Sequence, residues 1–204
     1  MGVIDMKRRR RFLNKGRRYS GINKDDKKMS KKTRIIIEAA IYLVEILLVI
    51  GIAYFGINHC LVKCTMVGDS MQPALENNDK VLINKLVYKL TGPKRNDVVA
   101  YNLSSGHSNF AIKRVIGLPG ERIQIKDGKV YINGEVLKED IEVEDMKTGG
   151  LAEEELTLED NEYFVLGDNR NNSEDSRFSE IGTIVKQQII GKVWLELDSY
   201  NIVR

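Results

Sequence analysis

Ser70 lies in Gly68-Asp69-Ser70-Met71-Gln72-Pro73, a run that follows an apolar, strand-like segment and ends it. Flexible Gly68 and rigid Pro73 put this serine on a sharp, exposed turn, a suitable place for a nucleophile. Serines in short turns are also common as plain ST-turns, so Ser70 needs a base before it means catalysis. The chain has only two histidines. His59 abuts the end of a long apolar run, and His107 sits in the polar loop Ser104-Ser105-Gly106-His107-Ser108. A Ser/His/Asp triad would have to use one of them, and neither has the surroundings of a base.

A lysine serves instead when desolvation strips its charge. Lys113 follows Phe110-Ala111-Ile112 and precedes Val115-Ile116-Gly117-Leu118-Pro119. On a strand it shares a face with Ala111 and Val115, while Arg114 points the other way. Burying an ammonium is costly without a partner. Moving its pKa from ~10.4 towards ~8 costs about 3 kcal/mol. Such a cost fits an active site; the competing reading is a lysine snorkelling at an edge strand.

The third polar patch runs from Gly167 to Arg177 and directly follows the apolar run Tyr163–Leu166. Alone it reads as an Asx-rich turn or a weak calcium loop, and Glu180 is out of step with the acid such a loop needs. With two Cys and two His in the whole chain, an all-protein metal cage has little material. No metal and no cofactor are expected.

The elements that must position these patches are strands. Runs rich in β-branched and aromatic residues recur at Leu61–Val67, Lys80–Asn84, Asp97–Leu103, Ala111–Ile116, Arg122–Lys126, Lys129–Ile132, Tyr163–Leu166 and Ile189–Leu197. Asp127-Gly128 and Asn133-Gly134 are turn dipeptides, the first of them a two-residue hairpin. Leu86–Leu90 reads as a short helix or part of a strand. Residues 135–162 carry 12 acids and 2 lysines, and are expected as an acidic surface excursion. The fold class is mainly β, with residues 58–204 as one domain.

Before that domain, residues 35–57 run 23 positions without Lys, Arg, Asn, Gln or Pro. At about 1.5 Å per residue the run reaches ~34 Å, enough for a hydrocarbon core of ~30 Å. Glu38 and Glu45 argue the other way, at about 5–7 kcal/mol against roughly −4 to −8 from the apolar residues. Insertion wins narrowly. Residues 1–34 hold 14 basic and 3 acidic residues, so the remainder, with 32 − 14 = 18 basic and 29 − 3 = 26 acidic, is acidic overall. The positive-inside bias makes residues 1–34 a disordered cytoplasmic tail and sends the body outside. This tail is expected at anionic lipid rather than nucleic acid. The 30% charged and 42% hydrophobic composition excludes a mostly disordered chain and a multi-span membrane protein.

Taken in order, Ser70-Met71-Gln72-Pro73, then Lys113 through Glu121, then Gly167 through Arg177, resemble the signature boxes of the type I signal peptidases. The basic amino terminus and single span resemble the Gram-positive form. The resemblance implies a membrane-bound serine endopeptidase that removes signal peptides from exported preproteins. In it Ser70 is the nucleophile and Lys113 the general base. Ser173 orients the lysine, Asp175 and Arg177 form a supporting ion pair, and Asp168 and Arg170 hold the same loop. Met71, Leu75 and Ile112 line shallow pockets for small substrate side chains, and the Ser70 amide is one oxyanion donor. The partners implied are signal peptides and the lipid bilayer, with the export machinery left open. The chain departs from the family pattern at Ala74, where Thr is usual, and at Asn96, where Gly is usual. The second oxyanion donor aligns with Gly68 and stays open.

Two other readings compete. A self-cleaving Ser/Lys protein of the repressor type lacks the anchor and the third box. A membrane-tethered, non-catalytic chaperone or assembly factor with the same fold has no reason to keep both Ser70 and Lys113.

Overall fold

The structure, a computed structural model, describes residues 30–103 and 110–203. The expected tail up to residue 29, and His107, lie outside the described residues. The described residues divide into two units, the boundary falling between Ile50 and Gly51. In the first lies most of helix α1 (Lys31–Cys60), which is longer than the 23-residue apolar run inside it. Ser30 sets its start by accepting the Thr33 amide, an N-cap bond, at 3.3 Å. Arg34 pairs with Glu38 one turn on, at 2.9 Å. Residues 31–56 form a helix long and apolar enough to cross a membrane, and its side chains are exposed in the fold.

The second unit is mainly β. A seven-stranded sheet runs in the order β1 (Leu61–Thr65), β2 (Lys80–Asn84), β11 (Ile189–Glu196), β3 (Val98–Asn102), β4 (Phe110–Gly117), β9 (Glu162–Leu166) and β10 (Ile184–Val185). A four-stranded sheet orders β7 (Glu135–Val136), β6 (Lys129–Ile132), β5 (Arg122–Lys126) and β8 (Leu156–Thr157). Every pairing is antiparallel. All eight expected strands form, three of them with the bounds read from sequence, and Val87–Leu90 makes one helical turn (α2). Asp127 and Asn133 take φ of 53°, followed by Gly128 and Gly134 at 75° and 88°. These are the positive angles that two-residue turns joining twisted strands demand.

β4 lies between β3 and β9 and is buried on both faces over most of its length. Ile112 joins one apolar cluster with Val98, Ala100, Met71 and Leu75. Val115 and Ala111 face another with Val99, Tyr101 and Val165. The third cluster ties the two sheets together: Ile116, Phe164 and Leu166 pack against Ile123, Ile125 and Leu158. Asn96, where the resemblance expects Gly, has φ 68°, a conformation Asn tolerates better than most residues.

Residues 135–162 differ from a simple excursion. Ten of their twelve acids are exposed, yet Met146, Ala152 and Leu158 are buried in the third cluster. Apolar residues spaced through an acidic stretch fasten it to the smaller sheet while most of its charges stay in water. The two cysteines are free thiols, and Cys64 is buried in the core.

Candidate active site

Ser70 and Lys113 meet. β1 ends at Thr65, and the chain turns through Val67–Gln72, held by the Gly68 amide donating to Asn77 Oδ1 at 3.0 Å. Lys113 Nζ donates to Ser70 Oγ at 2.7 Å, joining residues 43 positions apart. Once the amine is neutral the same contact reverses, with the hydroxyl donating to nitrogen. Lys113 is 6% exposed. Burial pushes its pKa down, against the opposing pull of Asp175, Glu174 and Asp168. Two of those carboxylates are already engaged by guanidinium groups, and the third is exposed. That is why desolvation prevails. None of the three comes from the acidic stretch 135–162.

The Gly167–Arg177 loop supplies those carboxylates and braces Ser70. The Asn169 amide donates to Ser70 O at 3.1 Å, and Asn169 Nδ2 to Asp69 O at 3.2 Å. Gly167 packs so closely that a Cβ there would lie 2.4 Å from Ser70 O and 2.2 Å from Ser173 Oγ. Only glycine lets the loop approach this far. Asp175 accepts Arg177 Nε at 2.8 Å and Nη2 at 2.9 Å, and also the Gly167 amide at 3.1 Å. Ser176 Oγ accepts the Val165 amide at 2.9 Å and closes the loop back on β9.

Asp168 and Arg170 hold this loop through partners the sequence reading did not name. Asp168 accepts Arg114 Nε at 2.7 Å and Nη2 at 2.6 Å, with both side chains all but sealed from water. Arg114 thus anchors the loop from the opposite face of the strand that carries Lys113. An arginine inside an apolar strand is itself the missed signal, because such a charge requires a buried carboxylate. Arg170 donates through both terminal nitrogens to Glu139.

A cleft of about 970 Å³ opens over the pair, lined on one wall by Met66–Ser70, on another by Phe110–Lys113, and by Asn171–Glu174. Two expectations change here. Met71 and Leu75, read as pocket lining with Ile112, are fully buried in the core, and only Ile112 lines the cleft. Met71 follows Ser70 on the turn and points inward as the serine points out. Ser173 lines the cleft beside Lys113, but its buried hydroxyl makes no hydrogen bond among the described residues.

With this geometry in hand, comparison with known proteins is direct. The family model for signal peptidase, peptidase S26, matches residues 39–197. The chain belongs to this family. A signal peptidase I of Bacillus amyloliquefaciens is 30% identical over 187 residues, covering 88% of this chain and 97% of that one. Signal peptidase I S of Bacillus subtilis (strain 168) is 33% identical over 184 residues, covering 86% and 96%. A probable signal peptidase I-2 of Synechocystis is 36% identical over 133 residues, covering 62% of this chain and 58% of that one. The signal peptidase family member described here is a serine peptidase, a hydrolase, and the non-catalytic alternative is set aside.

Proposed function

We propose that the protein is a membrane-bound signal peptidase that removes signal peptides from exported preproteins with a Ser70/Lys113 dyad. The observation that carries this reading is the 2.7 Å contact between a turn serine and a buried lysine in an open cleft. Neutral Lys113 takes the Ser70 proton as Oγ attacks the scissile carbonyl, and the Ser70 amide steadies the developing oxyanion. Collapse breaks the C–N bond. Lys113 then passes its proton to the leaving amine, and the signal peptide stays esterified to Ser70. Water, deprotonated by the same lysine, splits the ester and restores the hydroxyl.

Around the pair, Asp175 with Arg177, and Asp168 with Arg114, fix the loop that carries Ser173. In this reading Ser173, which lines the cleft with Lys113, orients the lysine. Ile112 borders the small side-chain pocket, with Met71 and Leu75 forming its floor from within the core. Helix α1 spans the membrane, residues 1–34 lie in the cytoplasm, and the β domain works outside. The test is a purified preprotein with Ala at −1 and −3 from the junction. It should be cut at one bond, defined by mass spectrometry, and a Phe at −1 should abolish the cut. Cutting at scattered bonds, or indifference to Phe at −1, would refute the signal-peptide reading.

A further inference from the structure

We infer that Glu139 is a positioning residue for Ser70, acting through Arg170 and Gly167 from the acidic stretch outside the signature boxes. The inference rests on the Ser/Lys reading above and adds a residue to its machinery.

The path is continuous. The Glu139 carboxylate accepts both terminal nitrogens of Arg170, Nη1 at 2.7 Å and Nη2 by a second close contact. These side chains are 11% and 1% exposed, so the pair is desolvated, unlike an ordinary surface ion pair. Arg170 Nε donates to Gly167 O at 3.1 Å. Gly167 in turn abuts Ser70 O and Ser173 Oγ with no room for a Cβ. A guanidinium is a rigid planar fork, so fixing two of its nitrogens on Glu139 fixes where the third presents itself to Gly167. The same acidic stretch touches the loop at further points. The Lys147 amide donates to Asn171 Oδ1 at 3.0 Å, and the Leu151 amide to Arg177 O at 2.8 Å. Arg177 Nη1 reaches Thr148 O at 3.4 Å. Residues 139–151 therefore back the catalytic loop from behind while Ser70 meets it in front.

The rival explanation is that Glu139 merely neutralises a buried arginine. The two are separated with the full-length protein in detergent, a model preprotein, and kcat and KM measured apart. In E139L/R170M both charges are gone, a replacement that commonly leaves stability intact, but the donor to Gly167 O is gone too. Glu139→Asp keeps the charge and draws the fork one methylene away from Gly167. Positioning predicts kcat down about tenfold in the double variant and about threefold in the aspartate variant. KM stays within about twofold in both, with circular dichroism unchanged. A kcat within about twofold of wild type in either folded variant overturns the inference, and E139D decides alone if the double variant does not fold. Failure of the wild type to cleave, or cleavage by Ser70→Ala, would instead refute the Ser/Lys reading.

Discussion

At the scale of single residues, the chemistry depends on Lys113 being neutral at working pH. The base form grows as pH rises, so a pKa lowered by burial moves the rising limb of kcat/KM to lower pH. We predict that the limb lies below the ordinary lysine value of ~10.4. Glu174, exposed on the cleft rim, pulls the Lys113 pKa up, so Glu174→Gln should move the limb further down in pH. A pH profile of wild type and Glu174→Gln on one peptide substrate checks both directions, and an upward shift would contradict the assignment. Ser70 and Lys113 stood out because each is odd in its setting, a serine on a Gly/Pro-bounded turn and an amine in an apolar strand, but only the resemblance joined them into a pair. Glu139 did not stand out, since nothing in an acidic stretch distinguishes the one carboxylate that meets a buried arginine. Met71 and Leu75 pack with Ile112 inside the core rather than opening on the cleft, a difference local sequence hides because it cannot say which way a turn side chain points.

At the scale of elements, β4 carries the site on both faces: Lys113 toward Ser70, Arg114 toward Asp168. Breaking a buried pair by removing one partner costs about 3–5 kcal/mol, because the other charge stays behind unpaired. Arg114→Met should therefore lower stability by about that amount, and Asp168→Asn by a similar margin, in urea unfolding of the detergent-solubilised protein. If Arg114→Met unfolds at the wild-type midpoint, the pair does not hold the loop. The longer strands could be read from composition because four or more residues suffice to show alternation or an apolar run. The two-residue strands β7, β8 and β10 could not, since they exist only through pairing with β6, β5 and β9. Likewise, the buried Met146, Ala152 and Leu158 are too widely spaced to stand out against twelve acids.

At the scale of the whole molecule, charge asymmetry along the chain sets the expected topology. The basic excess before residue 35, followed by an apolar helix and an acidic body, predicts that protease added outside intact cells digests the β domain and spares residues 1–34. Immunoblotting with antibodies to each end reads the result, and a protected carboxy-terminal domain would contradict the proposed orientation. The central claim is narrower and lies in the cleft. The most direct test is cleavage of one model preprotein by the wild type, Ser70→Ala, Lys113→Met and Lys113→Arg, side by side at a pH on the plateau. The account predicts cleavage by the wild type alone, because Lys113→Met has no base and a guanidinium does not release its proton at working pH. Cleavage by a folded Lys113→Met at the wild-type rate would contradict it.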